Sequence, residues 1–539
     1  MKSMFVNEYT FKKFLDAGKE KEFDSLFDDA VKKVNATFKS KHPMYINGKQ
    51  VFCEQELVET SPIDRNIIIG YFQKANRQNA RDAIAAAKNA FKSWSLTNYK
   101  KRIEIFEKAA QLFHERKFEI AAILSYENAK TRYESIGEID EAIDFINYYT
   151  NELRINKGYI RKTSLKSTKE KIGQGFQGAP EGDENVIISM KPYGVFGVIA
   201  PFNFPVSISV GMSVGALITG NTVVFKPSTD NMTILTALKI YEIFNESGLP
   251  NGVFNFVSGP GSEVGDELVI SPDVQGIAFT GSRIVGMNMI KKSYEQGLQK
   301  IFIVEMGGKN PAIVSKHSEI DDAVNGVANA AFGFGGQKCS ALSRLYVHES
   351  IKELFVSKLI DKLRVMKIGN PLNKEVFLGP LISETAYKKF NEIIDKAKQT
   401  GRVLYGGNTI NIGLNGYYVE PAIIEVSHNN ELIVNELFLP VLSIETFKDF
   451  DSAIILANDT QYGLTAGLYS KNKKEIAQFS TYIQAGVVYI NRKMSATTGA
   501  IVGLHTFVGW KGSALTGKGT GSKHYLQQFM KEQSIASII

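Results

Sequence analysis

Cysteine is scarce in this sequence: only Cys53 and Cys339 occur among 539 residues. Two thiols cannot build a disulfide framework, and their wide separation does not fit a metal-binding knuckle. The seven histidines show no spacing typical of metal ligands, so we expect no metal site. So few cysteines suit a reducing compartment, and we expect a cytoplasmic protein.

Long apolar runs and concentrated charge are also missing. The N-terminal stretch mixes acidic residues into an amphipathic helical pattern, unlike a secretory signal or a membrane span. The net charge of +7 comes from 63 basic and 56 acidic residues spread along the chain. Because no basic stripe is present, we expect no binding to nucleic acid, and we expect none to membranes. A chain of this length with 44% hydrophobic residues suits more than one domain.

What the sequence does contain is an alternation of helical and strand patterns. Helical periodicity covers 79–94, 101–124 and 134–154. From about residue 195, short apolar runs alternate with segments of helix length, which predicts parallel strands, crossover helices and an α/β fold class. The runs are VFGVIAP, NTVVFKP, GVFNFVSG, VQGIAFTG and KIFIVEMGG, followed by SRLYV, PVLSIETF and AGVVYIN. The pattern predicts two α/β units, with the polar stretch 157–190 as a long hairpin arm.

Glycines at one strand-to-helix junction suggest a phosphate-binding turn. GVFNFVSG leads into GPGSEVGDELV, which places Gly259, Gly261 and Gly265 where backbone amides can face a phosphate. Their spacing departs from the usual dinucleotide fingerprint, and a tight turn without a ligand explains the same residues equally well.

Two further strand ends favour the cofactor interpretation. VVFKPS brings Lys226 and Ser228 to the end of one strand, and AFTGS brings Gly281 and Ser282 to the start of a helix. The carboxyl ends of parallel strands form the ligand-binding edge of an open α/β sheet. Taken singly, Lys226 also fits a solvated lysine and Ser282 an ordinary helix N-cap.

The second cysteine lies in the segment GFGGQKCSALSR, among glycines, an amide and a lysine. Upstream, IVEMGGKNPAIV places Glu305 at the end of an apolar strand, and IAPFNFPVSI supplies Asn203. Downstream, NELFLPVL supplies Glu436 and Phe438. Each has a structural alternative, such as a helix cap, a satisfied buried amide or, for Cys339, a small apolar thiol. Together they supply a nucleophile, a base and an amide donor beside a dinucleotide site.

These motifs resemble the aldehyde dehydrogenase superfamily. PFNFP, FKPS, FTGS, VEMGGKNPAIV, GQKCSA and ELFLPVL occur in the order and approximate spacing of that family, after about residue 40. FGFGGQKCSALSR and the late TTGAIVGLHTFVGWKGSALTGKGTGSKHYL are similar to a branch that oxidises L-glutamate γ-semialdehyde to L-glutamate. An N-terminal helical extension also fits that branch.

The resemblance implies a fold in three parts: a Rossmann-type NAD-binding domain, an α/β catalytic domain and a β oligomerisation arm. The implied divisions are a helical extension 1–40, an NAD-binding domain 41–157 and 191–302, a catalytic domain 303–487, and an arm and tail 158–190 and 488–539. NAD is the implied cofactor, a small aldehyde the implied substrate, and a homo-oligomer the implied assembly.

The resemblance also implies roles for individual residues. Cys339 would form a thiohemiacetal and then a thioester, Asn203 would bind the oxyanion, and Glu305 would activate water. The implied cofactor residues are Lys226, Ser228, Gly261, Gly265, Gly281, Ser282, Glu436 and Phe438. The implied substrate residues are Phe202, Ser340, Gly499, Ala500 and Phe507, of which Ser340, Gly499 and Ala500 would hold the substrate carboxylate.

Several positions depart from the family pattern. Ser228 and Thr229 stand where many members have a glutamate on the adenosine ribose, which leaves NADP as an alternative to NAD. Leu439 and Val508 stand in place of common glycines, and Trp510 replaces a different apolar residue, beside the expected nicotinamide pocket and substrate loop. Two other functions stay open: oxidation of another small semialdehyde, and a catalytically silent homologue. The joint presence of thiol, base and amide argues against the silent homologue.

Overall fold

The computed structural model describes residues 9–165 and 183–538. Its N-terminal part pairs helices with short strands. The elements are α1 (Thr10–Asp16), α2 (Glu20–Asn35), β1 (Ser40–His42), β2 (Met44–Ile46), β3 (Lys49–Val51), β4 (Glu56–Thr60), β5 (Ile68–Gln73), α3 (Arg77–Trp94), α4 (Tyr99–Glu115), α5 (Lys117–Asn128) and α6 (Arg132–Ile155). Asn76 and Thr131 begin α3 and α6 with reciprocal side-chain caps, which satisfy backbone N–H groups that a helix N-terminus leaves free.

The first large sheet follows two long antiparallel strands. The elements are β6 (Ile160–Leu165), β7 (Glu184–Pro192), β8 (Val195–Ile199), α7 (Ser207–Ile218), β9 (Thr222–Lys226), α8 (Ile234–Glu246), β10 (Phe254–Phe256), α9 (Asp266–Ile270), β11 (Val274–Thr280), α10 (Arg283–Glu295) and β12 (Ile301–Glu305). The sheet order is β12-β11-β8-β9-β10-β2-β3, and its first five strands run parallel. Because β8 and β9 are buried on both faces, β8 has no polar side chain and the three central residues of β9 are apolar.

The second large sheet repeats the parallel design. The elements are β13 (Asn310–Val314), α11 (Ile320–Phe332), β14 (Leu342–His348), α12 (Lys352–Arg364), α13 (Glu384–Thr400), β15 (Arg402–Tyr405), β16 (Ala422–Glu425), α14 (Glu431–Val434), β17 (Val441–Phe447), α15 (Phe450–Asn458), β18 (Tyr462–Gly463), β19 (Thr465–Tyr469), α16 (Lys473–Tyr482) and β20 (Val487–Ile490). The order is β15-β16-β17-β14-β13-β19-β20, with only β15 antiparallel to its neighbour. The predicted α/β class is confirmed.

The C-terminal tail contributes strands to two small sheets. β21 (Trp510–Lys511) pairs with β18, and β22 (Met530–Ile538) pairs antiparallel with β7 along its whole length. The resulting three-stranded sheet has the order β22-β7-β6. Part of the predicted arm, 166–182, lies outside the described residues.

The predicted divisions between units differ from the observed elements at two places. All of β12 belongs to the first sheet, so a boundary at 302–303 cuts through a strand. Likewise β20 continues the second sheet to Ile490, beyond the predicted limit of 487. The chain leaves the first sheet only after Glu305, where Gly307 adopts a φ of 83° and permits the turn.

Candidate functional site

A large cavity of about 1340 Å³ lies where the ends of the first sheet's strands face the second unit. β8, β9, β11 and β12 all contribute their carboxyl ends to its wall. Of the three glycines predicted to face a phosphate, Gly259 does not line this cavity. All the residues to which the resemblance gives a role line it: Phe202, Asn203, Lys226, Ser228, Gly261, Gly265, Gly281, Ser282, Glu305, Cys339, Ser340, Glu436, Phe438, Gly499, Ala500 and Phe507. The topology therefore collects residues that are hundreds of positions apart in the chain.

Cys339 follows a tight glycine-rich turn after α11. Its carbonyl accepts a hydrogen bond of 2.7 Å from Asn310 Nδ2, which fixes the backbone beside the thiol. Burial, followed by the negative charges of Glu436 and Glu305, raises the pKa of the thiol to about 12. The thiol is therefore neutral in the free protein at neutral pH, and a base must remove its proton before it can attack a carbonyl.

Glu305 ends β12 with its carboxyl facing the cavity. Its Oε2 is buried without a hydrogen-bond partner, and burial raises the pKa of Glu305 to about 8. The backbone around it is held by the C-terminal tail, since Met306 N–H donates to the Ser513 carbonyl at 2.7 Å and Glu305 bridges to Ala514. A carboxyl with this pKa is poised to exchange protons near neutral pH.

Asn203 is buried next to the turn that carries the thiol. Its Nδ2 donates to the Gln337 carbonyl at 3.1 Å, and Gln337 Oε1 in turn accepts from Ile382 N–H at 3.1 Å. This bond uses one of the two Asn203 amide hydrogens and orients the second. An amide donor is thereby fixed beside Cys339.

The cofactor half of the cavity combines a cation, a helix N-terminus and exposed backbone. Lys226 is buried, which lowers its pKa to about 8, and its Nζ donates to the Pro227 carbonyl at 3.1 Å. Ser282 is the N-cap of α10, as the structural alternative for this residue predicted. Ser282 also lines the cavity. A methyl group on Gly261 would meet nothing within 4 Å, and one on Gly265 would approach only Lys226. These bare backbone positions suit close approach of a phosphate.

Glu436 and Phe438 reach the cavity from the loop after α14. Glu436 Oε1 accepts a hydrogen bond from Gly308 N–H at 2.8 Å. Burial raises the pKa of Glu436 to about 7, although this hydrogen bond acts to lower it. A Cβ on Gly307 would lie 2.5 Å from the Glu436 carboxylate, so only glycine fits. Phe438 packs edge-to-face on Phe202 with ring centroids 5.9 Å apart.

Three of the departures from the family pattern, Leu439, Val508 and Trp510, lie outside the cavity wall, whereas Ser228 and Thr229 line it. Leu439 is buried among apolar residues next to β17, and Val508 is buried near Gly486. Trp510 is 47% exposed and belongs to β21. None of the three lines the cavity that the described residues form.

Two ion pairs on the cavity wall were not anticipated from sequence. Lys338 pairs with Glu134 at 2.9 Å. Lys130 pairs with Glu138, and the side chains of Lys130 and Glu138 are fully buried. The motif Thr131-x-x-Glu134 signals a helix start, yet it gives no hint that α6 faces the thiol.

Metal ligation and membrane insertion find no support in the described residues. No cluster of three or more histidine, cysteine, aspartate or glutamate side chains is arranged there to hold a metal ion. Likewise, none of the helices in 9–165 and 183–538 combines the length and apolar character needed to cross a bilayer.

Comparison with known proteins gives consistent matches. The model of the aldehyde dehydrogenase family matches residues 52–535. A 1-pyrroline-5-carboxylate dehydrogenase from Geobacillus sp. (strain WCH70) is 35% identical over 517 residues, covering 95% of this chain and 96% of that protein. 1-Pyrroline-5-carboxylate dehydrogenase 2 from Halalkalibacterium halodurans is 33% identical over 539 residues, covering 99% of this chain and 100% of that protein.

Solved structures agree with this grouping. The 1-pyrroline-5-carboxylate dehydrogenase from Thermus with bound NAD has a TM-score of 0.87 at 34% identity, covering 95% of this chain and 96% of that one. Betaine aldehyde dehydrogenase from Staphylococcus aureus in complex with NAD+ has a TM-score of 0.85 at 27% identity, covering 95% and 97%.

Proposed function

Because this chain belongs to the aldehyde dehydrogenase family, we propose that it oxidises L-glutamate γ-semialdehyde to L-glutamate with NAD, as a 1-pyrroline-5-carboxylate dehydrogenase of proline catabolism. The observation that carries the proposal is the shared cavity. Its wall holds the Cys339 thiol, the Glu305 carboxyl and the Asn203 amide. The same wall includes the glycines that suit a phosphate and the loop that contains Gly499. The relatives named above for this activity cover nearly the whole chain.

The reaction begins at Cys339. Its thiolate adds to the aldehyde carbon, and the oxyanion accepts hydrogen bonds from Asn203 Nδ2 and the Cys339 backbone N–H. NAD, when bound, accepts the hydride that leaves this carbon. Water then adds to the thioester while Glu305 takes its proton, and the Cys339 thiolate leaves as the carboxylate forms. The raised pKa of Glu305 supports this assignment because a general base is most effective when its pKa lies near the pH at which the enzyme works.

The cavity fits a dinucleotide. Its volume exceeds what a small aldehyde needs, and Gly261 and Gly265 leave backbone open for the diphosphate, with Lys226 and Ser282 nearby. Asp230 also lines the cavity and adds a negative charge that opposes the 2′-phosphate of NADP. This charge favours NAD over NADP.

Glutamate semialdehyde carries an α-carboxylate opposite its aldehyde. In our proposal, Ser340 Oγ and the N–H groups of Gly499 and Ala500 bind that carboxylate, while Phe202 and Phe507 flank the carbon chain. All five residues line the same cavity as the thiol.

An assay with NAD and a panel of aldehydes tests the proposal. We expect purified protein to prefer glutamate semialdehyde over uncharged pentanal and over other small semialdehydes. Ser340→Ala should lower kcat/KM for glutamate semialdehyde about tenfold, since hydrogen bonds to charged groups contribute about 1.5–3 kcal/mol. The kcat/KM of Ser340→Ala for pentanal should fall far less. A wild-type preference for pentanal or for another semialdehyde would exclude glutamate semialdehyde as the substrate.

Assembly, domain layout and location complete the proposal. The sheet β22-β7-β6 leaves the outer edges of β22 and β6 unpaired among the described residues, which supports a homo-oligomer formed through this arm. The two sheets support an NAD-binding unit that ends at Glu305 and a catalytic unit after it. Two unpaired cysteines are consistent with the cytoplasm. Light scattering of the intact protein measures the assembly directly.

A further inference from the structure

Arg492 lies directly after β20, and its backbone is firmly anchored. Tyr469 Oη donates to the Arg492 carbonyl at 2.7 Å. The preceding Asn491 accepts from Ser470 N–H at 2.9 Å and donates to the Ser470 carbonyl at 2.8 Å. The start of the arginine side chain is therefore fixed relative to the second sheet.

The guanidinium of Arg492 holds the loop that lines the substrate end of the cavity. Its Nη1 donates to the carbonyls of Thr498 and Gly499, both at 3.1 Å. The guanidinium also lies over the Tyr489 ring, 4.4 Å from its centroid. Gly499 has a φ of 83°, a conformation that favours glycine.

These two carbonyls belong to the peptide groups that carry the N–H of Gly499 and of Ala500. A trans peptide is planar, so its N–H points away from its C=O. We infer that Arg492 is a positioning residue for carboxylate recognition: by holding both carbonyls, it directs the Gly499 and Ala500 N–H groups away from itself, toward the cavity that both residues line. This inference rests on the proposed function, because it needs a substrate with a carboxylate.

The positive charge of Arg492 matters as well as its geometry. A cation at the carbonyl polarises the peptide and makes the opposite N–H a stronger donor. Other bonds locate the loop without supplying charge. Thr497 Oγ1 donates to the Ser340 carbonyl at 2.8 Å, and Thr498 N–H donates to Ser495 Oγ at 3.0 Å. Arg492 therefore adds donor strength that these neutral contacts lack.

The test compares Arg492→Met with the wild type on glutamate semialdehyde and on pentanal. We expect KM for glutamate semialdehyde to rise about tenfold or more while kcat changes little, and both constants for pentanal to stay within about threefold. Binding of the product L-glutamate, measured by calorimetry without turnover, should weaken by a similar factor. Arg492→Lys keeps the positive charge but lacks the planar guanidinium, so it should recover part of the loss.

Lys493→Met provides the matched control, because the neighbouring cation pairs with Asp322 at 3.0 Å on the surface. It should match the wild type in every measurement. Equal losses on both substrates, or unchanged glutamate binding in Arg492→Met, would overturn the role of Arg492. Failure of the proposed function is a separate result, visible as a wild-type protein that does not prefer glutamate semialdehyde. Melting temperatures identify a variant that is misfolded, and in that case Arg492→Gln and Arg492→Lys decide the question.

Discussion

The clearest prediction concerns the pH dependence of the step assigned to Glu305. With a pKa of about 8, the carboxyl is about one-tenth ionised at pH 7 and about nine-tenths ionised at pH 9. Only the carboxylate can accept a proton from water, so the rate of thioester hydrolysis should rise about tenfold between these values and level off above them. The rise goes with increasing pH because the base acts in its deprotonated form.

Replacing Glu305 by glutamine should separate the two halves of the reaction. Stopped-flow measurement of NADH should show a burst near one equivalent per active site, since hydride transfer to NAD precedes the water attack that Glu305 assists. Loss of the burst would show that Glu305 also removes the proton of the Cys339 thiol. Turnover should then fall about 10²–10⁴-fold, the range that a general base contributes, and the rise with pH should disappear.

Glu59→Gln serves as a matched control. Glu59 is also a buried carboxyl with a pKa raised to about 7, but it accepts from Ile234 N–H at the start of α8 and does not line the cavity. Its pH–rate profile should match that of the wild type. If Glu305→Gln hydrolysed the thioester at the wild-type rate, Glu305 could not be the base.

Three further predictions follow from single contacts. Cys339→Ala should keep NAD binding, followed by cofactor fluorescence, but lose all aldehyde oxidation, whereas Cys53→Ala should stay active; turnover by the first variant would remove the nucleophile assignment. Gly307→Ala, forced into a positive φ and against Glu436, should cost about 1–3 kcal/mol of stability in denaturant titrations and weaken NAD binding. Burial raises the pKa of Glu59 from 4.5 to about 7, so the folded state keeps a proton that the unfolded state releases, and this group makes stability fall as pH rises across that interval. Melting temperatures of Glu59→Gln should therefore decline less from pH 5 to pH 8 than those of the wild type, and an equal decline would contradict this origin.

Much of the fold could be predicted because burial on both faces leaves a local mark. The runs at 195–199, 222–226 and 274–280 are mostly apolar, and each is a strand of the first parallel sheet. The helical pattern at 79–94 likewise corresponds to α3, which starts at 77. Such patterns report which faces are covered.

The periodicity of apolar residues does not show which element packs against a buried face. The pairing of β2 with β10 joins Tyr45 to Phe256, and no local pattern records it. The ion pair of Lys338 with Glu134 joins residues 204 positions apart. Motif similarity located Cys339 within the site, whereas the partners of these charged side chains depend on how α6 packs against the second unit.

The contact between the C-terminal tail and Glu305 has a consequence for synthesis on the ribosome. The strands of the first sheet are complete once residue 305 has emerged, but Ser513 and Ala514, which hold the backbone of the base, are made more than two hundred residues later. At about 5–20 residues per second, that interval lasts on the order of ten seconds or more. During this time the nascent chain already carries its thiol without the finished surroundings of its base. Turnover is thus deferred until translation is nearly over, because hydrolysis of the thioester needs Glu305 in its finished surroundings.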